Sequence, residues 1–443
     1  RTGTLLIHNK THHTPTCTIH TRRGTIPHLT NDNFDLVLDE CGMGSAIIQL
    51  NLFDLLHNFP TTLFSPQNNE SHENSGSNSP TTKTKTTSLH KFLNFEKHSL
   101  LLSIRDPQYP ANTQLFNDKF LMGDTESGRK KLSESEFLKT VESLNADLHV
   151  MMHDNGYGNG NGEQSSTYNK KRFVKALQRN VNWQKSQNEH YFCKNHQSEK
   201  IGGEKSVAVH GLMQCAVSLE HHAMHLPQSV QSLFSINHKT TTTTTTSVVR
   251  SDDGNENGGA SGEKMENGSN SLPVKAILFG DLTQLSSHDQ SIALSNSIRS
   301  VLVTAEENKE KLGVASGEHV LRMIQGLDHP LEVLDCVHRG IDVLDATYPF
   351  VCSEFGYASI YPLLPDGDRA ASVEMGVNGQ RILSSDVMKM NLRSVEYVRD
   401  FRPISSTCPC WTCKNHTRAY IHHLFNTHEM LAEALLTIHN LYH

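Results

Sequence analysis

The chain has 443 residues, of which 36% are hydrophobic, and its formal net charge is −7. The apolar share is lower than in an average globular chain, but the deficit is concentrated in three polar stretches, at 66–88, 155–169 and 239–272, which excludes a wholly disordered protein. The acidic balance gives no sign of a nucleic-acid partner, so such a partner would have to bind a local basic patch.

The predicted elements begin with a small β-rich segment over the first ~60 residues, with candidate strands at 14–19 and 24–28. Short apolar runs of four to eight residues then recur, and such runs are typical of parallel strands buried on both faces. These runs lie at 46–50, 99–104, 148–152, 206–213, 274–279, 319–324 and 341–344. Helical patterns fall between them, at 137–144, 171–187, 285–304 and 331–339.

The repeated β–α order predicts the fold class. Seven strand candidates in a core of this size favour an α/β protein built as a (β/α)8 TIM barrel over an open doubly wound sheet. The chain contains no GxGxxG loop, which the doubly wound alternative with a dinucleotide site would need. We expect residues 1–400 to form the barrel with an N-terminal β lead-in and three disordered insertions, and residues 401–443 to form a C-terminal zinc-binding subdomain.

Polar residues follow four of the predicted strands. They are Asp154, Gln214, Asp281 and Asp345. In a TIM barrel, polar residues at the C-terminal ends of strands line the face that carries the active site. Each could instead cap the helix that follows, as Asp often does. Four such residues together favour a pocket.

A cysteine trio near the C-terminus is the strongest local motif. Cys408, Cys410 and Cys413 are spaced C-x-C-x2-C, and three cysteines this close can supply three of the four ligands of a structural zinc ion. The spacing does not choose the fourth ligand. The candidates are His416, His422, His423, His428 and His439, on or near a helix predicted over 417–441.

The other cysteines are scattered, and the total of nine is odd, which favours free thiols in a reducing compartment over a disulfide framework. No apolar run approaches the ~18 residues of a membrane span, so we expect a soluble protein. Cationic side chains surround the trio, including Lys414, Arg418 and His423. This cluster could contact phosphates or could be an ordinary solvated face, and the sequence leaves the two alternatives even.

Three segments of the chain resemble the tRNA-guanine transglycosylases, TIM-barrel enzymes that exchange the wobble guanine of tRNA for queuine or a precursor. The segments are CPCWTCKNHTRAYIHHL at 408–424, TPTCTIHTRRGTIPHLT at 14–30 and HPLEVLDCVHRGIDVLDATYP at 329–349. The resemblance implies one zinc ion per chain and identifies His439 as its fourth ligand. It also implies that Asp345 holds the position of the nucleophile, and that Asp154 and Gln214 hold purine-binding positions.

Other catalytic motifs of the family are altered. Phe350 and Val351 replace a Thr-Arg pair after the nucleophile position, and the DSGGFQ strand end is absent, with Ser103 near that place and Asp106 beyond it. This pattern is similar to the non-catalytic accessory subunit that eukaryotic members pair with a catalytic subunit of queuine tRNA-ribosyltransferase.

The resemblance to the accessory subunit therefore implies a heterodimer acting on G34 of tRNAs with GUN anticodons (Asp, Asn, His and Tyr). It further implies a cytoplasmic location, peripheral to the mitochondrial outer membrane. Two other hypotheses stay open: an active transglycosylase that uses Asp345, and an unrelated zinc protein that binds RNA.

Overall fold

The computed structural model describes eleven continuous segments of the chain, with scattered further positions. The segments are 3–58, 88–104, 114–116, 118–125, 127–154, 170–198, 207–212, 276–279, 320–325, 330–360 and 389–443. The scattered positions are 223, 226–227, 230, 293–301, 303 and 327. The predicted insertions 155–169 and 239–272 lie outside the described residues, as does 66–88 apart from Ser88.

Eight parallel strands close into a barrel, as the sequence predicts. In chain order they are β3 (Thr16–His20), β4 (Ile47–Asn51), β5 (Ser99–Ser103), β9 (Leu148–Val150), β10 (Val207–Leu212), β11 (Ala276–Phe279), β12 (Leu321–Ile324) and β13 (Val343–Asp345). Each pairs with the next, and β13 pairs with β3 to close the ring. Seven match the predicted apolar runs. The eighth, β3, was wrongly assigned to the lead-in, because its alternating Thr and His side chains hide its buried position.

Two sets of apolar side chains alternate along the strands. One set fills the inside of the barrel, with Ile47, Leu101, Val150, Leu278 and Val343 in a single cluster. The strand neighbours of these residues face outward and pack under the surrounding helices. Both faces of each strand are therefore buried, which explains why the strands appear in the sequence as continuous apolar runs.

Helices surround the barrel. They are α1 (Asn31–Glu40), α2 (Leu52–Asn58), α3 (Leu89–Leu93), α4 (Glu134–Leu144), α5 (Lys170–Ser198), α6 (Pro330–His338) and α7 (Tyr348–Phe355). The predicted helix at 285–304 is helical over 293–301, within the part that is described. The start of α4 is fixed by a capping box, in which Ser133 and Glu136 satisfy each other's backbone N–H groups. No described helix is long and apolar enough to cross a membrane.

An N-terminal hairpin covers the N-terminal end of the barrel, in agreement with the predicted β lead-in. Its strands are β1 (Gly3–Ile7) and β2 (Lys10–Thr14), and Ile7 joins the apolar cluster inside the barrel. The Asp147 carboxylate accepts hydrogen bonds from His8 Nδ1 at 2.7 Å, His90 Nε2 at 2.8 Å and the backbone N–H of Leu100 at 2.8 Å. One buried carboxylate thus ties the hairpin to a helix and a barrel strand.

A three-stranded antiparallel sheet follows β5, and the sequence analysis did not predict it. Its strands are β6 (Gln114–Phe116), β7 (Phe120–Thr125) and β8 (Gly128–Ser133). Gly123 of β7 lies so close to the ring of Phe53 that a Cβ there would clash with it. The sheet therefore packs against α2 through a position that requires glycine.

The C-terminal segment folds against the barrel. It contains β14 (Tyr357–Ser359), β15 (Lys389–Asn391), a short 3-10 turn (Val395–Tyr397), α8 (Trp411–Asn415), α9 (Arg418–Asn426) and α10 (Leu431–Tyr442). The single helix predicted over 417–441 is wrong. The chain breaks after Asn426 and turns at His428, whose φ of 56° is left-handed, before α10 begins. Asn440 of α10 donates to Ser353 Oγ of α7 at 3.0 Å, which fixes the segment to the barrel.

Candidate metal centre and barrel face

The loop that carries the three cysteines is held in a tight turn. Cys410 precedes the first residue of α8, and its Sγ accepts a hydrogen bond from the backbone N–H of Cys413 at 3.4 Å. This bond caps the helix and places both sulfurs on one side of the turn. Pro409 lies between Cys408 and Cys410, and proline restricts the backbone of the loop there. Local sequence therefore brings the three thiols together.

His439 of α10 completes the cluster. Its Nδ1 lies 3.7 Å from the Sγ of Cys408, 3.6 Å from that of Cys410 and 3.4 Å from that of Cys413. All four side chains are buried, and the four potential ligand atoms lie within 4.8 Å of one another. Three similar sulfur-to-nitrogen distances are what a single ion at the centre of four ligands requires. The cluster could therefore hold one metal ion.

A second hydrogen bond orients the histidine. Its Nε2–H donates to the backbone carbonyl of Ser359 at 2.7 Å, so the lone pair of Nδ1 points at the thiols. Such partners fix the tautomer of a ligating histidine. Asn440 in turn accepts the backbone N–H of Ser359 at 2.8 Å. The apolar residues around the cluster include Ala358, Leu392, Leu435 and Leu436.

The thiols also influence one another electrostatically. Hydrogen bonding from Cys410 and Cys413 holds the pKa of Cys408 far below its usual range, while the same crowding raises the pKa of Cys410 far above it. Without a cation, negative charge on one sulfur opposes charge on the next. A divalent cation would reverse this by favouring all three thiolates, with release of protons. Four protein ligands leave no position for a substrate water, so the site is structural in type.

The other candidate histidines have different contacts. His422 is buried and donates from Nδ1 to the carbonyl of Leu392 at 2.9 Å. His416 stacks on Tyr420, with ring centroids 5.2 Å apart. His423 and His428 are exposed. Among the cations near the trio, Arg418 pairs with Asp400 at 3.0 Å. The predicted basic cluster is therefore divided between buried or paired side chains and exposed ones.

Asp345 lies at the C-terminal end of β13, on the barrel face where sites occur. It is buried, and its carboxylate accepts hydrogen bonds from the backbone N–H of Leu327 at 3.2 Å and from Thr347 Oγ1 at 3.3 Å. Burial, with a smaller contribution from the charge of Asp345, raises the pKa of the neighbouring Cys17 to about 12. That thiol is therefore neutral at physiological pH. Protein groups bind both oxygens of Asp345.

Asp154 follows β9 at the same end of the barrel. It is 2% exposed, and its Oδ2 accepts a hydrogen bond from Arg179 Nη1 of α5. Its backbone N–H donates to Asn180 Oδ1 at 2.6 Å, and Asn180 Nδ2 donates back to its carbonyl at 2.8 Å. Both predicted carboxylates thus lie at the barrel face, and each is bound by other residues of the chain.

Other predicted positions are only partly described. Gln214, Asp281 and Asp106 lie outside the described residues. Ser103 ends β5 and is buried, near the position where the family resemblance leads us to expect an aspartate. His20, buried at the end of β3, was not among the predicted site residues. Its signal was a polar side chain that ends a strand, the same signal that singled out Asp345.

The geometry defines a class of protein, a (β/α)8 barrel whose C-terminal segment carries a buried Cys3His cluster that could hold a metal ion. A model of the family described as Queuine tRNA-ribosyltransferase matches residues 309–443. The part of the chain with that cluster therefore matches this family.

Curated relatives carry the name "Queuine tRNA-ribosyltransferase accessory subunit 2". The Homo sapiens protein is 36% identical over an alignment of 141 residues, and the match covers 28% of this chain and 33% of the relative. The Danio rerio protein is 37% identical over an alignment of 138 residues, and the match again covers 28% of this chain and 33% of the relative. The Ixodes scapularis protein is 35% identical over 122 residues, 28% of this chain and 29% of the relative. The matched part thus spans about a third of each relative's length.

Proposed function

We propose that the protein is the non-catalytic accessory subunit of a heterodimeric queuine tRNA-ribosyltransferase. The complex exchanges guanine for queuine at position 34 of tRNAs with GUN anticodons. The observation that carries the proposal is a contrast within one barrel. The Cys3His cluster is complete, whereas Asp154 and Asp345 at the site-bearing face are bound by other residues of the chain. Relatives that match 28% of this chain are named as accessory subunits.

Base exchange requires an arrangement of side chains that the described residues of this barrel provide only in part. A transglycosylase needs a carboxylate free to attack the ribose, a group that moves a proton on the departing base, and a close purine pocket. Asp345 accepts hydrogen bonds on both oxygens, and Ser103 lies near the position where the resemblance implies a second carboxylate. These features support a subunit that keeps the barrel as a scaffold and leaves the chemistry to its partner.

The metal in the proposal is zinc. A tetrahedral zinc ion with Zn–S of ~2.3 Å and Zn–N of ~2.0–2.1 Å holds its sulfur and nitrogen ligands ~3.6 Å apart. The distances here are 3.4 to 3.7 Å, and three thiolates with one imidazole are a common structural zinc set. Elemental analysis of the purified chain should find one zinc per chain.

An exposed apolar surface next to the metal segment supports a protein partner. Val395 is 82% exposed, Val398 52% and Phe401 76%, all within seven residues of the chain. Grouped apolar side chains at a surface are typical of interaction sites. The partner in this proposal is the catalytic subunit, and tRNA binds to the complex of the two.

The experiment is a guanine exchange assay on the chain alone, on the catalytic subunit alone and on the two together. We expect co-purification, exchange by the mixture, and no exchange by this chain alone in a single-turnover measurement. Exchange by the chain alone that is lost in Asp345→Asn would support the active-enzyme hypothesis instead. Binding of tRNA without the partner and without preference for GUN anticodons would support the unrelated zinc protein.

The location belongs to the same proposal. The resemblance implies a cytoplasmic protein that associates peripherally with the mitochondrial outer membrane. Fractionation with a salt or carbonate wash tests this, since a peripheral protein is released by the wash. Recovery in the soluble fraction alone would leave the accessory role intact and remove the membrane association.

A further inference from the structure

One ion pair at the barrel face connects the interior to the surface. Arg179 Nη1 binds Oδ2 of Asp154, while Arg179 Nε and Nη2 lie 3.1 and 2.9 Å from Oδ1 of Asp118. The Asp154 side chain is 2% exposed, that of Arg179 is 11% exposed and that of Asp118 is 85% exposed. The guanidinium thus fills the space between a buried carboxylate and a solvent-facing one.

The helix holds this arrangement rigidly. Asn180, the next residue of α5, exchanges two hydrogen bonds with the backbone of Asp154. One turn further along, the ring of Trp183 lies 5.8 Å from the Arg179 guanidinium carbon, close enough for a cation–π contact. Side chain and backbone of Asp154 are therefore both held by α5, so the carboxylate cannot turn away from the arginine without breaking several contacts.

The chemistry of the guanidinium matters because it resembles the edge of guanine. Both are planar and present adjacent N–H donors that can pair with the two oxygens of one carboxylate. A carboxylate oxygen that already accepts a hydrogen bond from a guanidinium is not available to accept one from such a base. Displacing the arginine from Asp154 would break its pair with the buried carboxylate and leave only the exposed Asp118 as its partner, which is unfavourable.

We infer that Arg179 determines specificity at this face by occupying the base-recognition edge of Asp154, so that the barrel excludes guanine and its analogues. The inference rests on the proposed function, in which Asp154 holds the position of a purine-binding carboxylate. The further claim is that a single residue of the chain, Arg179, prevents a base from binding to Asp154. Asp154, Asp118 and Trp183 all contact the planar guanidinium group of Arg179.

Removing the arginine should therefore create a binding site for guanine-like bases at Asp154. In Arg179→Ala, 7-deazaguanine should bind to the isolated full-length chain, about 10- to 100-fold more tightly than to the wild type, the range that hydrogen bonds to a charged group provide. Guanidinium ion at low millimolar concentration should compete for the same site. Ligand-observed NMR and titration calorimetry measure both. Adding Asp154→Asn to Arg179→Ala should abolish the gain.

Two further variants control the test. Arg339→Ala removes an arginine whose Nε lies 2.7 Å from Oδ2 of Asp335 in α6, far along the chain from Asp154. This variant should gain no base binding. Arg179→Gln removes the positive charge but keeps a polar side chain at the same position, and it should give a smaller gain. Should Arg179→Ala fail to fold, as judged by circular dichroism, Arg179→Gln decides the question. No gain in a folded variant, or a gain that survives Asp154→Asn, overturns the inference.

The failure of the inference and that of the proposed function are distinguishable. The base-binding measurement uses neither tRNA nor the catalytic subunit. An active complex together with an Arg179→Ala chain that binds no base would reject the role of Arg179 alone. Failure of this chain to support exchange by any catalytic subunit would reject the proposed function, whatever the variant binds.

Discussion

Single hydrogen bonds decide which side chains can act at the metal centre. The backbone carbonyl of Ser359 accepts from Nε2 of His439 and leaves Nδ1 as the only ring nitrogen that can bind a metal. The same logic applies to His422, whose Nδ1 donates to Leu392 and whose Nε2 contacts Asn426, so neither of its nitrogens faces the thiols. The orientation of each ring follows from its second contact.

We expect His439→Ala to lose the bound metal, because three thiolates alone would leave an incomplete tetrahedron. His423→Ala is the matched control, since His423 is exposed on α9 and should keep full occupancy. Metal content after dialysis against a mild chelator measures the difference. Full occupancy in His439→Ala would mean that another group supplies the fourth ligand.

The buried carboxylate of Asp147 predicts a pH dependence. Burial alone would raise its pKa, but hydrogen bonds from His90 and the Leu100 N–H outweigh burial and hold the pKa of Asp147 well below its usual range. A lower pKa in the folded state means that the ionised group stabilises the fold above the unfolded value of ~3.9. That contribution is lost as the pH falls through the lower, folded value.

Asp147→Asn should therefore lower the free energy of unfolding by about 2–4 kcal/mol at neutral pH. The difference in unfolding free energy between the variant and the wild type should be constant above about pH 5 and should narrow as the pH falls further, through the unfolded pKa of ~3.9. Urea denaturation at each pH gives both values, and Asp39→Asn, at an exposed position near the end of α1, serves as the control. A gap that is constant with pH would mean that the ionised form of Asp147 has no special role.

Sequence reasoning at this scale succeeded where the chemistry is local. The cysteine trio is compact, so its spacing alone predicted that the three thiols lie together, as they do in the structure. The contact between Arg179 and Asp154 was not visible, because it joins residues separated by the polar stretch 155–169. A basic residue inside a helical pattern is ordinarily solvent-exposed, and only the position of α5 against the barrel makes this one different.

At the scale of elements, the break between α9 and α10 explains why spacing could not choose the fourth ligand. On one straight helix over 417–441, His439 would lie ~33 Å along the axis from the helix start. The turn at His428 reverses the chain and returns His439 to the thiols. The helical periodicity on both sides of the turn is strong, so a local pattern does not locate it. The family resemblance supplied what the pattern could not.

The contact between β7 and α2 gives a prediction for an element. Gly123→Ala would place a methyl group against the ring of Phe53 and should lower the free energy of unfolding by about 1–3 kcal/mol, the usual effect of overpacking. Gly44→Ala is the matched control, since a Cβ at Gly44 meets no atom within 4 Å. Thermal unfolding of the two variants should separate them clearly. Equal melting temperatures would show that the ring moves aside freely.

At the scale of the molecule, the apolar runs predicted the barrel because its strands are buried on both faces. The strand β3 was predicted, but as part of the N-terminal lead-in, because Thr16, Thr18 and His20 interrupt its apolar pattern. Gln49 of β4 pairs with His20 and accepts a hydrogen bond from Thr18 Oγ1 at 3.0 Å. Polar contacts thus replace aliphatic packing at this side of the barrel, and a search for apolar runs overlooks such strands.

The closure of the barrel through β3 and β13 has a consequence for synthesis. Thr18 pairs with Asp345, so the first strand of the ring has no partner on one edge until nearly the whole barrel has left the ribosome. At ~5–20 residues per second this interval is roughly 15–65 s. Throughout it the nascent chain presents an unpaired strand edge, which is the kind of surface that chaperones bind and that drives aggregation. Production of this protein should therefore be more sensitive to chaperone supply than that of a fold whose neighbouring strands are adjacent in sequence.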